Sequence, residues 1–195
     1  MKRSKFSRIC IALGSGLILA AAVLLLWHGI RAENAQVDAE AILQKTLSLL
    51  PPGMDAVPEA RGNNRMPSRQ MDGLDVAGVL EFPRYGKILP LASQWDTNRV
   101  NHLPCRFAGS IYDSSLIIGA VDSHDQLPFA GEMEVGTQIV LTDMEGGRYH
   151  YRVAAIHHAK HTSLSKLRQG DYPLTIFVKD SEHNQYLLIR CEIGK

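Results

Sequence analysis

Covalent chemistry on a peptide needs a nucleophile with a base in hydrogen-bonding reach, and a bound metal needs several donors converging from one side. The sequence offers few side chains for either task. Its thiols are Cys10, Cys105 and Cys191, and Cys10 lies inside a long apolar run. The other two are compatible with one bridge, whose geometry spacing cannot supply, or with two buried structural thiols. His157-His158-x-x-His161 brings three imidazoles together in sequence. Adjacent strand residues point to opposite faces, however, and no acidic or thiol fourth ligand stands close, so the cluster reads as a surface patch without metal. Lys179 is an amine nucleophile only if burial lowers its pKa, and a lysine at a strand end is ordinarily solvated. Nothing in the residues calls for a cofactor.

The elements that must position these groups follow from the apolar pattern. From Val76 onward, short apolar runs alternate with turn residues: Val79–Phe82, Ile88–Leu91, Leu116–Ala120, Gln138–Thr142, Tyr149–Ile156, Leu174–Val178 and Tyr186–Cys191. Such spacing predicts an all-β barrel or sandwich with short helices over residues 76–195. Ile139-Val140-Leu141-Thr142, a Gly-containing loop and Arg148-Tyr149-His150-Tyr151-Arg152-Val153 predict a β-hairpin.

The first part of the chain reads differently. Residues 1–8 are basic, with Lys2, Arg3, Lys5 and Arg8, and residues 9–28 hold an apolar run ending near Trp27. That run matches the ~20 residues needed to cross a bilayer, and it is too long for the ~7–15 residue core of a cleaved signal peptide. The positive-inside rule then leaves the N-terminus cytoplasmic and exports the rest, so the expectation is a single-pass cell-membrane protein with an extracellular domain. Residues 29–50 carry Val37, Ile42, Leu43, Leu47 and Leu50 at helical spacing, which predicts a juxtamembrane helix stopped by Pro51-Pro52-Gly53. Residues 51–75 mix Pro, Gly, Asn and Arg without apolar periodicity and predict a flexible stalk. Basic and acidic residues nearly cancel to a formal charge of +1 in 195 residues, which argues against a nucleic-acid partner and limits the exported part to one domain.

Several phrases of residues 76–193 occur in a telling order. They are Gly78-Val79-Leu80-Glu81-Phe82-Pro83, Gly86-Lys87-Ile88-Leu89-Pro90-Leu91, Leu103-Pro104-Cys105-Arg106-Phe107-Ala108-Gly109-Ser110, Leu116-Ile117-Ile118-Gly119-Ala120 and Val135-Gly136-Thr137-Gln138-Ile139. After the hairpin come Gly170-Asp171-Tyr172-Pro173-Leu174-Thr175-Ile176-Phe177 and Ile189-Arg190-Cys191. Together they resemble the sortase family, specifically the class B-like enzymes of Gram-positive bacteria. The resemblance implies an eight-stranded barrel behind an N-terminal membrane helix. In active members a Cys attacks the scissile carbonyl of a sorting signal, a His shuttles the proton and an Arg supports the oxyanion.

All three positions depart from that pattern. Where the family has its His the chain has Val121; where the Thr-Leu-x-Thr-Cys motif ends it has Lys179, in Thr175-Ile176-Phe177-Val178-Lys179; where the Arg opens the last strand it has Tyr186. Arg190 is no substitute, because four residues along a strand is ~13 Å. His124, three residues beyond Val121, reads as a solvent-exposed loop histidine. With no catalytic position intact, the resemblance implies a pseudoenzyme that binds in cell-surface protein or pilus assembly. Its candidate partners are a secreted sorting-signal protein, a pilin or an active sortase. Two alternatives stay open: an active, divergent cysteine transpeptidase whose nucleophile lies elsewhere, and a purely structural surface module.

Overall fold

The computed structural model describes residues 39–59, 64–180 and 183–194. The chain divides into two units, Met1–Val37 and Asp38–Lys195, and the second is the domain described here. The basic tail, the apolar run and residues 29–38 lie outside the described residues, as do 60–63 in the stalk. Among the described residues no helix is long and apolar enough to cross a membrane.

One helix, α1 (Ala39–Leu49), precedes ten strands: β1 (Met54–Asp55), β2 (Arg69–Met71), β3 (Leu74–Phe82), β4 (Lys87–Ala92), β5 (Cys105–Ala108), β6 (Leu116–Val121), β7 (Gln138–Asp143), β8 (Gly147–Ala159), β9 (Leu174–Asp180) and β10 (Gln185–Ile193). A one-turn helix, α2 (Leu164–Leu167), lies between β8 and β9. Eight strands close in the order β3-β4-β5-β6-β9-β10-β8-β7, and β7 returns to β3. Most neighbours are antiparallel, but β4 runs parallel to β5 and β6 to β9.

The closure follows from the period-2 pattern of the strands. Leu116, Ile118 and Ala120 of β6, Leu174, Ile176 and Val178 of β9, and Leu187, Ile189 and Cys191 of β10 all join one buried cluster. Leu80 and Phe82, Leu89 and Leu91, Ile139 and Leu141, and Tyr149, Tyr151 and Val153 join it from the remaining long strands. Removing these side chains from water at roughly 25 cal/mol per Å² is the main force holding the barrel. The alternate residues of β6, β9 and β10 face outward and are free to build a site.

The β7–β8 hairpin forms around a turn in which Gly146 takes φ 86°. Asp143 closes it from within, because its carboxylate accepts the N–H groups of Glu145 (2.9 Å) and Gly147 (2.8 Å) and the hydroxyls of Tyr112 and Tyr149. At Gly78, where β3 crosses close to β7, an added Cβ would lie 2.1 Å from the Thr142 carbonyl oxygen, and φ is 154°. Only glycine fits that crossing.

The segment expected to be a flexible stalk differs from that expectation. β1 adds in parallel to β8 and β2 adds antiparallel to β3. Met66, Met71 and Leu74 are buried, and Asp55 meets His150 of β8 at 2.9 Å. Isolated apolar residues with no period can still be buried one at a time against a finished barrel, which a periodicity argument does not detect. Helix α1 packs on the same barrel through Ile42 and Thr46, whose hydroxyl lies 3.2 Å from Met71 Sδ.

Candidate functional site

The outward face of β6, β9 and β10 carries the residues singled out by the sequence. In the parallel register of β6 and β9, Val121 is the direct neighbour of Lys179. In the antiparallel register of β9 and β10, Lys179 is the direct neighbour of Tyr186. Three residues distant in sequence therefore stand in one lateral row, each separated from the next by the ~4.8 Å strand spacing. Val121 is buried, Lys179 is exposed and Tyr186 is half-buried.

The backbone around the row is pinned from both sides. Gln126, fully buried after β6, accepts the Val121 N–H (3.3 Å) and donates to the Val100 carbonyl (2.8 Å). The Asp122 N–H donates to the Lys179 carbonyl at 3.0 Å. In the β9–β10 turn, Asp180 accepts the His183 N–H (3.0 Å), faces His183 Nδ1 (2.8 Å) and accepts from Gln185 (3.2 Å). These bonds, the backbone N–H first, hold the Asp180 carboxyl down to about 2. The sequence reading missed this turn, although Asp-x-x-His before Asn184, which takes φ 49°, is its signal.

One step down the strands, the next row of the same face is Gly119, Phe177, Leu188 and His157. It is covered from outside. Trp95 and Phe107 meet Phe177 with ring centroids 5.6 and 5.3 Å away, and meet each other at 5.1 Å. Gly119 is what lets them in, since a Cβ there would fall 2.4 Å from a Trp95 ring atom and 2.6 Å from a Phe177 ring atom. Phe177 packs with Ile117, Leu167 and Leu188, and Tyr186 joins at the edge with its ring 6.4 Å from Phe177. The chain's own side chains thus fill the middle of this face. No period in the sequence marks Trp95 or Phe107, because both come from outside the long strands.

A further step along, Ile117, Thr175 and Arg190 form the third row. Arg190 shares the face of Tyr186 but is only 4% exposed. Its guanidinium donates to the carbonyls of Leu167 and Lys166 (2.5 Å for Lys166) and to the Thr175 hydroxyl (3.0 Å), with its carbon 5.6 Å above the Tyr172 ring. Every donor direction it uses ends on the C-terminal turn of α2 or on β9. It fastens the helix to the sheet and does not reach the Lys179 row.

Neither domain cysteine enters the row. Cys105 and Cys191 are both free and fully buried, so the disulfide allowed by the sequence is absent. Cys105 Sγ donates to the Leu103 carbonyl at 3.5 Å, and burial pushes its thiol up to about 11. Cys191 points into the barrel cluster, where burial pushes it up to about 12. A reactive thiol needs the opposite shift. His124 is fully exposed beside Asp125 at 3.4 Å. His157 and His158 pair with Leu188 and Leu187 and so point to opposite sides, and His161 lies beyond the strand. Among the described residues no three His, Cys, Asp or Glu side chains gather closely enough to hold a metal.

The row therefore presents an alkyl group, an ammonium and a phenol. An ammonium and a hydroxyl can donate hydrogen bonds to a carbonyl or carboxylate laid across them. Val121 and Tyr186 supply neither a nucleophile of the cysteine type nor a proton shuttle of the imidazole type.

No protein-family model and no curated protein sequence matches the chain. Solved structures do. Sortase C1 from Streptococcus agalactiae superposes with a TM-score of 0.55 at 19% identity, over 65% of this chain and 71% of that one. Sortase C from Clostridium perfringens, solved with the C-terminal cell wall sorting motif, gives 0.54 at 16% identity over 62% and 71%. A lid mutant of sortase A from Corynebacterium diphtheriae gives 0.54 at 16% over 68% and 74%. Identities this low are a likeness of fold, and the fold of the eight-stranded barrel is that of the sortases.

Proposed function

We propose that this domain is a sortase-fold module without transpeptidase chemistry, tethered to the outer face of the cell membrane and acting by binding during the assembly of surface proteins. The observation that carries the reading is the lateral register of Val121, Lys179 and Tyr186. These are the positions at which the motif resemblance expects His, Cys and Arg, and here they hold a buried alkyl group, an exposed amine and a phenol. Loss of the nucleophile alone removes covalent catalysis, and loss of the proton shuttle leaves no partner to rescue it.

The active, divergent alternative requires a thiol beside an imidazole. Cys105 bonds a backbone carbonyl, and Cys191 faces the barrel interior. Neither hydrogen-bonds a histidine among the described residues, which weighs against that alternative.

One of the structural neighbours, the C. perfringens sortase C, was solved with a sorting motif. Taking that as a guide, the partner of this domain is a secreted protein with a sorting signal, a pilin, or a sortase that processes them. The binding reading is tested by titrating labelled sorting-signal peptides against the domain and against Lys179→Ala and Tyr186→Ala variants. Saturable binding weakened by either substitution supports it. One observation favours the structural alternative: Trp95 and Phe177 fill the space above Gly119. Absence of binding by every peptide would transfer the assignment to a structural module.

A further inference from the structure

Strand β8 outruns its partner on one side. β7 pairs with it from Arg148 to Arg152, and the last bonds on that side run from the Gly136 N–H to the Val153 carbonyl (2.7 Å) and from the Val153 N–H to the Thr137 carbonyl (2.9 Å). A turn over residues 134–137 then takes the chain off the edge, closed by the Thr137 N–H on the Glu134 carbonyl at 3.1 Å with Gly136 at φ 94°. On its other side β8 stays paired with β10 as far as Ala159. Residues 154–159 are therefore bonded along one edge only, over roughly 20 Å of strand.

The direction of the backbone on the open side follows from Val153. Residues of a strand that share a face turn their N–H and C=O groups to the same neighbour. Val153 faces the barrel interior and turns both groups toward β7. Ile156 and His158 stand opposite Ile189 and Leu187, which also face the interior, so their backbone groups point to the β7 side. Among the described residues no backbone group meets them there. The usual guards of an exposed edge, Pro and Lys, are absent from residues 154–159, and Ala154, Ala155 and Ala159 leave room for a neighbour.

Charge selects the occupant. Residues 147–170 hold five Lys or Arg and four His and no Asp or Glu, in a chain whose formal charge is +1. His157, His158, Lys160 and His161, on the overhang or just beyond it, are all exposed. In the adjoining segments Glu134 is engaged by Arg84 at 2.6 Å, and Asp180 is bonded within its own turn. A second copy paired edge to edge would set this basic stretch against itself, and like charges facing each other across paired strands are destabilising. An acidic strand meets opposite charge instead.

We propose that residues 154–159 of β8 are a docking edge for an extended acidic peptide, which adds to the barrel as a strand on the backbone of Ile156 and His158 and sets its carboxylates beside His157, His158 and Lys160. The edge acts through main-chain bonds and stands apart from any role of the Val121–Lys179–Tyr186 row.

The test titrates the full chain in detergent with a fluorescein-labelled decapeptide of alternating Val and Glu, and with its counterpart carrying Lys for Glu. Saturable binding of the Glu peptide, with the Lys peptide weaker by about tenfold or more, is expected. His158→Pro removes an N–H of the open edge and none of the β10 ladder, and should weaken binding about tenfold. Lys160→Glu should weaken it several-fold. Amide exchange read by NMR locates the peptide independently of any variant, so the proposal stays testable if His158→Pro does not fold. The Ile156 and His158 amides exchange faster than that of His157 in the free chain and slow down when the Glu peptide is bound. Equal affinity for the two peptides, no saturable binding, or protection that leaves Ile156 and His158 unchanged would each overturn the proposal. A dimer that His158→Pro dissociates, in a chain that binds neither peptide, would assign the edge to a second copy and overturn it as well.

Discussion

Strand register makes Val121 and Tyr186 the direct neighbours of Lys179. A Lys179→Cys substitution is therefore expected to give a thiol that titrates near ~8.5, as an exposed cysteine does, because Val121 offers no imidazole. Adding Val121→His lowers that midpoint by about one unit or more if the two side chains meet across the row, as alkylation rate against pH will show. An unmoved midpoint would mean that the row does not bring them together. The native thiols predict an alkaline effect of known sign. Both are harder to ionise in the folded state, with pKa values pushed by burial from 9.0 to about 11 for Cys105 and about 12 for Cys191. Their contribution is whole below about pH 9 and is lost as pH rises through about 11 and 12, so Tm falls over that window and Cys191→Ala makes the fall shallower. At this scale the motif order named Val121, Lys179 and Tyr186, and strand register sets these three side by side. The sequence was silent on Trp95, Phe107 and Asp180, whose roles come from long-range contacts or from a turn.

Strands and helices were legible in proportion to their length. The seven apolar runs became strands, whereas β5, four residues with three of them half-buried, has no alternation to betray it. Helix α2 is a single turn, kept in place by side chains from elsewhere. Arg190 is the foremost of these, and Arg190→Leu would take the guanidinium donors from the Leu167 carbonyl and the Thr175 hydroxyl and leave the Lys166 carbonyl with only the backbone N–H groups beyond it. A loss of about 2–4 kcal/mol in urea unfolding is expected, with little rescue by Arg190→Lys, since one ammonium cannot reproduce the fork. The aromatic cover makes a second prediction. Gly119→Ala drives a methyl into Trp95 and Phe177 and should cost about 1–3 kcal/mol, and Trp95→Leu in the same chain should recover part of it through coupling between the two sites. Additive losses would show that Trp95 does not rest on Gly119 in solution.

Over the whole molecule, the barrel was legible because eight strands with one apolar face each have few ways to close, and the motif order selected one of them. The boundary of the ordered domain was not, because α1, β1 and β2 join the barrel through scattered contacts at Ile42, Asp55, Met66 and Met71 rather than through a period. On the proposed reading, the outward row of the barrel holds Val121, Lys179 and Tyr186 where the motif resemblance implies His, Cys and Arg. The most direct measurement is incubation of the protein with a panel of fluorogenic sorting-signal peptides, alongside Cys105→Ala and Cys191→Ala variants. The account predicts no cleavage by any of the three proteins. Cleavage by the wild-type chain that disappears with one of the two substitutions would contradict it and identify a working nucleophile outside the Val121–Lys179–Tyr186 row.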